Sequence, residues 1–211
     1  DGSLSIWVSG PSLARWQAAP GQFFSLRFAT RGLWWQSHPY SLSAAPFATG
    51  LRFTFALGDD AAAFRRIRVG TRVWLEGPYG TFTAPKADRP VVLVGGGSGI
   101  APVRALMEDL TPAHRPEVVL RVSDPRHAWF VGELQQLVDQ RGGRLHLVYG
   151  SRIQLGGHDP FHPGALTALI PDLAQRTAFI CGPTGMSRSA SRGLHGAGIP
   201  TNRIHTERYV Y

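Results

Sequence analysis

What most constrains this chain is a change of hydrophobic period near residue 88. Before it, apolar residues recur mostly at every second position. Leu51, Phe53, Phe55 and Leu57 alternate with Arg52, Thr54 and Ala56. Successive side chains leave a strand on opposite sides, so a period of two predicts a strand with a packed face. Gln22–Phe28 and Arg72–Glu76 read as further short strands, separated by the turn residues Pro20-Gly21, Gly58-Asp59-Asp60 and Gly70-Thr71. Several short strands between turn signals predict an antiparallel barrel or sandwich.

Beyond residue 88 the pattern changes. Val91–Val94 is a short apolar run, followed by a glycine loop and then by Val103, Leu106, Met107 and Leu110 at i, i+3, i+4 and i+7, one face of a helix. Val118–Val122, Leu145–Tyr149 and Ala178–Cys181 read as strands, and Val131, Leu134 and Val138 mark a second helix face. Strands alternating with helices predict a parallel sheet built from right-handed crossovers. Ala84–Pro90, with Pro85, Lys86, Asp88 and Pro90, reads as a linker. The expected division is therefore an antiparallel barrel over residues 1–87 and an α/β domain, Rossmann-like with a parallel sheet, over 88–211.

Composition narrows the classes. The net charge is +8, but of 22 Lys and Arg residues only Lys86 is lysine, so the number of arginines reads as codon bias before it reads as function. The arginines are scattered and no basic run interleaves with aromatics, which argues against nucleic acid. Phosphate ligands and an anionic membrane surface remain as uses for the charge. No stretch approaches the roughly 18 apolar residues of a membrane span. A single cysteine, Cys181, excludes a disulfide framework and a multi-cysteine metal site, and no metal ligand set is expected. The chain starts at Asp1 rather than Met and reads as a piece of something longer.

Five motifs carry chemistry. The loop Gly95-Gly96-Gly97-Ser98-Gly99-Ile100-Ala101-Pro102 joins a predicted strand to a predicted helix. Helix N-termini present unpaired N–H groups and partial positive charge, glycine lets the backbone approach a ligand closely, and Pro102 in the first turn sacrifices no hydrogen bond. The spacing matches neither GxGxxG nor a P-loop. The others are His38-Pro39-Tyr40-Ser41-Leu42-Ser43-Ala44-Ala45-Pro46, Glu76-Gly77-Pro78-Tyr79-Gly80, Cys181-Gly182-Pro183, and the tail Ile204-His205-Thr206-Glu207-Arg208-Tyr209-Val210-Tyr211. Singly each has a plainer reading: Tyr40 as barrel core, Gly77–Gly80 as a turn, Cys181 as a buried structural thiol, the tail as an edge strand.

In this order the five motifs resemble the ferredoxin–NADP reductase superfamily, over nearly the whole chain. The His-Pro-Tyr-Ser form, with Ile-His-Thr-Glu-Arg-Tyr at the end, looks most like the FAD/NAD(P)-binding dehydrogenase portion of bacterial ferric-reductase-like membrane proteins and NADPH oxidases. The resemblance implies that residues to about 87 bind FAD and that the rest bind NAD(P). Tyr40 would pack against the flavin and Ser41 would hydrogen-bond near its N5, while His38 stands where many members place a pyrophosphate-binding Arg, with Pro39 beside it in the cofactor-binding set. Gly77, Tyr79 and Gly80 would complete the flavin side. Gly96, Gly97, Ser98, Gly99 and Pro102 would cradle the nicotinamide cofactor's pyrophosphate. Cys181, Gly182 and Pro183 would line the nicotinamide site, Glu207 would lie near the reacting rings, and Tyr209 would stack on the flavin. Ser41, Cys181, Glu207 and Tyr209 are thus the expected catalytic set.

The sequence departs from the family in places. Gly58-Asp59-Asp60-Ala61 lacks the hydroxyl that often binds FAD, leaving backbone at the Ala61–Arg66 turn and Arg65 or Arg66 to serve. His38, with an unperturbed pKa of about 6.5, is a weaker anion ligand than Arg at neutral pH. Ser3–Val8 matches the second barrel strand, so the first is expected to be missing. Arg121, Ser123 and Arg126, with Ser151-Arg152, favour NADPH, whereas Asp124 favours the ribose 2′-OH of NADH. The leading expectation is a module passing electrons from NADPH through FAD to a haem-bearing transmembrane domain, on the cytoplasmic side of a membrane. A free-standing soluble reductase of ferredoxin, flavin or ferric chelates is the first alternative. A degenerate, non-catalytic nucleotide-binding module, for which Ala61 speaks, is the second.

Overall fold

The computed structural model describes residues 2–57, 61–124, 128–150 and 158–207. Its first strands are β1 (Ser3–Ser9), β2 (Phe23–Phe28), β3 (His38–Ser41), β4 (Gly50–Ala56) and β5 (Val73–Tyr79), with one helical turn, α1 (Ala61–Phe64), between β4 and β5. All pair antiparallel, β1 with β4 and β3-β2-β5 as a second sheet, and a single bridge between Leu42 and Phe53 joins the two. Inside lie Phe24, Leu26, Phe28, Leu42, Phe53, Phe55 and Phe64, all buried. Each such side chain contributes about 1.5–3 kcal/mol by leaving water. Among the described residues β1 pairs only with β4 and β5 only with β2, and a groove of about 650 Å³ separates these two edges, lined in part by the exposed Trp7 and Trp74.

Strand β5 runs three residues past the expected Glu76, through Gly77-Pro78-Tyr79. A bulge accommodates them. Phe23 pairs with Tyr79 and Ser25 with Glu76, so β5 holds one extra residue there. Pro78 is tolerated because β5 is an edge strand. Gly77 is required by space as well as by its φ of +144, since a Cβ there would lie 2.9 Å from the Phe24 ring.

The second half is one five-stranded parallel sheet: β6 (Val91–Gly96), β7 (Glu117–Val122), β8 (Arg144–Tyr149), β9 (Thr177–Cys181) and β10 (Ile204–Glu207). Its order is β10-β9-β6-β7-β8. Helices α2 (Ile100–Asp109) and α3 (Val131–Gln140) cover one face, α4 (Pro163–Leu169) and α5 (Thr184–Gly196) the other. β6 shows why an all-apolar run is needed here: Val91 and Leu93 pack under α2 and α3, Val92 and Val94 under α4 and α5. The predicted stripe holds, with Val103, Leu106, Met107 and Leu110 all buried in the first of these layers.

Candidate functional site

From β6 the chain builds outward through β7 to β8, then returns to β9 on the other side of β6. That reversal leaves a crevice at the carboxyl ends of β6 and β9, where ligands of open α/β sheets bind. β6 ends there in Gly96, and β9 is followed there by Gly182. After β6 comes a 3-10 turn, Gly97–Gly99, which leads straight into α2; after β9 come Gly182 and Pro183, which lead into α5.

The two turns are packed too tightly for side chains. A Cβ at Gly99 would lie 2.1 Å from the Cys181 carbonyl oxygen, and one at Gly182 2.9 Å from the Gly96 carbonyl oxygen. Gly97 differs. It is exposed, has φ +56, and a Cβ on it would have Pro183 as its nearest neighbour at 3.6 Å, between the two turns. Its backbone is therefore bare at the mouth of the crevice, beside the N-terminus of the ten-residue helix α2. This cradle fits an anionic group such as a pyrophosphate.

Cys181 stands in register between Gly95 on β6 and Glu207 on β10. It is fully buried, packed with Phe179, Leu93 and Phe82 in the α2/α3 layer. Glu207 is half-buried, and burial pushes its carboxyl above the usual glutamate range. Glu207 also meets the antiparallel half: a Cβ at Gly80 would lie 3.4 Å from its Oε1 and 3.2 Å from the Phe23 ring. Phe23 in turn pairs with Ser41 on β3 and with Tyr79 on β5. Ser41, Phe23, Gly80, Glu207, Cys181 and Gly95 thus form one row of neighbours crossing both halves.

The remaining motif residues flank this row. His38, Pro39, Tyr40 and Ser41 make up β3. Tyr40 stacks on Phe55 at 4.2 Å and lies parallel to His38 at 5.9 Å, and Phe64 of α1 closes the cluster edge-on. Tyr79 is exposed and donates its hydroxyl to Glu76 Oε1 at 2.6 Å, which raises the phenol's pKa. Ser98 is half-buried in the turn, and Pro102 is buried in the first turn of α2. Arg121, next to the last residue of β7, pairs with Gly96. Its Nη1 donates to the carbonyls of Val122 (3.3 Å) and Val148 (3.1 Å), and burial lowers its pKa. It borders a cleft of about 320 Å³ with His158, Asp159, Phe161, Met186 and Ser189. Ser123 is exposed next to it, and Asp124 is half-buried. Arg126, Ser151, Arg152 and Tyr209, like Gly58-Asp59-Asp60, lie outside the described residues.

Sequence reasoning missed Phe23 and Met186. Met186 lies over both glycine turns: a Cβ at Gly96 would sit 2.4 Å from its sulfur and one at Gly182 2.5 Å from its methyl. Its signal was available, since a long side chain in the first turn of a helix leans back toward the helix N-terminus.

The architecture is an antiparallel half followed by a parallel sheet with glycine turns at its switch point. Residues 93–192 match the family of oxidoreductase NAD-binding domains, and the chain as a whole has a ferredoxin–NADP reductase-like two-domain fold. It is 31% identical over 201 residues to the ferredoxin reductase component of 3-ketosteroid-9-alpha-monooxygenase from Mycolicibacterium smegmatis, covering 92% of this chain and 56% of that protein. A flavohemoprotein from Xylella fastidiosa is 30% identical, with 89% and 50% covered. The chain therefore spans about half the length of these curated relatives. Among solved structures, the flavohem-like FAD/NAD binding domain of nitric oxide dioxygenase from Vibrio cholerae superposes with a TM-score of 0.80 at 21% identity, covering 98% of this chain and 92% of that one. A ferredoxin NADP+ reductase from Neisseria gonorrhoeae, with bound FAD and NADP, gives 0.73 at 21% identity, with 98% and 92% covered. Both establish the fold.

Proposed function

We propose that the chain is an FAD-dependent NAD(P)H oxidoreductase module that passes electrons to a separate one-electron acceptor. Residues 1–87 hold the flavin and residues 88–211 the nicotinamide cofactor. The observation that carries this reading is the row from Ser41 to Gly95, which brings the Tyr-Ser strand and the two glycine turns to one seam between the halves. FAD, when bound, supplies the conversion of a two-electron hydride into single-electron steps.

The chain's own residues supply binding and orientation. The bare backbone at Gly97 and the start of α2 take the pyrophosphate of the nicotinamide cofactor. Gly182 and Pro183 line the site of its ring, and the Cys181 thiol supports them from the core. His38, Tyr40 and Ser41 take the flavin side, with Phe55 and Phe64 fixing the Tyr40 ring. Glu207 has its proton affinity raised by burial, so it can hold a proton beside the reacting rings. Arg121 serves the adenosine end, with NADPH as the expected cofactor and NADH as the alternative. Tyr209, in this reading, covers the flavin face.

For the acceptor we favour a ferredoxin or another separate redox protein over a haem-bearing transmembrane domain. The supporting observation is that the relatives above are named as a ferredoxin reductase component and a flavohemoprotein. No helix among the described residues is long and apolar enough to cross a membrane.

The test is anaerobic mixing of the chain with FAD and then NADPH or NADH, followed by the flavin absorbance band. Bleaching, faster with NADPH, is the expected result. No bleaching with either nicotinamide at saturating FAD would leave the chain a non-catalytic nucleotide-binding module. Electron delivery to a ferredoxin, read by its own absorbance, then tests the acceptor.

A further inference from the structure

Arg52 and Glu133 meet across the seam, away from the row just described. On β4 the side chains of Phe53 and Phe55 fill the antiparallel core, and Arg52 points the other way, toward the parallel-sheet half. It is only 8% exposed. Its Nε donates to Ser43 Oγ at 3.1 Å, Nη2 to the Ser43 carbonyl at 2.5 Å, and Nη1 and Nη2 each to Glu133 Oε2 at 3.1 Å. Glu133 lies in the first turn of α3. The same Oε2 accepts from Arg104 Nε on α2 at 2.7 Å, and Arg104 Nη1 lies 2.6 Å from Glu108 Oε1. Glu108 Oε2 then accepts from the backbone N–H of Ala45. The contacts leave the antiparallel half at Ser43 and Arg52 and return to it at Ala45, and the two guanidiniums and two carboxylates carry no net formal charge.

A second observation singles out the same place. The Arg52 guanidinium sits between an aromatic ring from each half, 5.5 Å from Trp7 and 4.9 Å from Phe130. Phe130 has φ +61, a left-handed conformation that bulky residues rarely adopt. Strain of this kind costs on the order of 1–3 kcal/mol and persists where the surroundings over-determine it.

The two arginine side chains are buried, whereas those of Glu133 and Glu108 are 40% and 25% exposed. Such ion pairs are poor stabilisers, because desolvation and solvent screening offset the attraction. What such a group does well is select one arrangement. Ser43 and Ala45 follow directly on the Tyr40-Ser41 strand. Arg104 and Glu108 lie on the helix that begins at the Gly97–Gly99 turn, and Ala105 between them packs into the antiparallel core.

We propose that Arg52, Glu133, Arg104 and Glu108 form an interdomain clasp that positions the Tyr40-Ser41 strand against the Gly97–Gly99 turn, and so sets the rate of hydride transfer without touching either cofactor. The rate part rests on the oxidoreductase reading above. Misplacing reactants by about 1 Å costs roughly a hundredfold in rate. These four are positioning residues.

The test uses Glu133→Gln, which removes the shared charge, and Arg52→Lys, which cannot fork to Ser43 and Glu133 together. Two measurements are made on each. The first is the anaerobic flavin-reduction rate at saturating nicotinamide cofactor, with the affinity for each cofactor. The second is the spin-label distance distribution between Arg72→Cys and Arg192→Cys, both exposed positions on opposite halves, recorded without cofactors; native Cys181 is fully buried. The saturated rate should fall about tenfold or more while affinities stay within about twofold, and the distance distribution should broaden. Lower affinity and melting temperature with an unchanged saturated rate would overturn the proposal, as would a distribution as narrow as that of the unsubstituted chain. If the unsubstituted chain does not bleach flavin, the oxidoreductase reading fails, and the distances alone decide the clasp.

Discussion

The two ends of the parallel sheet are built on opposite principles. At the carboxyl ends of β6 and β9 the turns are close-packed backbone: Gly95, Gly96, Gly99 and Gly182 are buried with little or no space for a Cβ, and Gly97 is exposed. At the amino ends it is side-chain charge. Glu117, first residue of β7, is buried with His146 at 2.6 Å and Arg144 at 3.2 Å, and Arg176, just before β9, lies 3.7 Å away. Arg176 also pairs with Asp172 at 2.8 Å and donates to the carbonyls of Val91 (2.9 Å) and Arg115 (2.6 Å). One end is thus closed by interlocking ion pairs, and the other is built of glycine turns and open at Gly97. In the reading proposed above, binding and fold maintenance are separated along the same strands.

The largest effect should come from breaking the closed end. Arg176→Ala leaves Glu117, Asp172 and two strand-end carbonyls without their shared cation, and removing one partner of a buried pair costs about 3–5 kcal/mol. Denaturant unfolding should show this loss. Nicotinamide affinity, measured by titration on the fraction that folds, should stay at the native value. A loss of affinity equal to the loss of stability would mean that the two ends are not independent.

The open end should respond the other way. Gly97→Ala puts a methyl group between the two turns at a φ of +56. The left-handed conformation costs an L-residue about 1–2 kcal/mol, so stability falls modestly. Nicotinamide affinity should fall by about tenfold, equivalent to 1.4 kcal/mol, because the methyl occupies the approach to the backbone N–H groups. Isothermal titration against NADPH reads this directly. Unchanged affinity would move the pyrophosphate away from this turn.

The same contrast explains what the sequence could show. The apolar period gave β4, β6 and α2, because strands and helices bury their side chains at fixed spacing, and glycine followed by a helix marked the open end. The bulge at Gly77-Pro78 was not legible. A Gly-Pro step reads as a stop, and only the pairing of Phe23 with Tyr79 shows that the strand continues. Nor was the role of Arg52. It occupies a polar position in an alternating strand, and its burial depends on Glu133, 81 residues further on. Phe23 looked like any core residue, although its place between Ser41, Tyr79 and Gly80 puts it in the seam. Local periodicity carries the elements, but contacts between halves arise from long-range pairing that leaves no local pattern.

Glu207 gives the smallest and most specific check, since it is the one carboxyl group in the row that crosses the seam. Burial raises its folded-state pKa, so as pH rises the unfolded chain releases this proton first. Between the two pKa values the native state binds more protons, and stability falls with increasing pH across that window. The cost is fully present above the folded pKa and absent below the unfolded value of about 4.3. Glu207→Gln should therefore match the parent's stability in acid and exceed it slightly at neutral pH, as measured by melting temperature against pH. If Glu207 also holds a proton for the reaction, the same substitution should flatten the pH dependence of flavin reduction over that window while leaving nicotinamide affinity unchanged. A melting curve that shifts equally at every pH would show that the carboxyl is solvated, and that the seam at Gly80 is open to water.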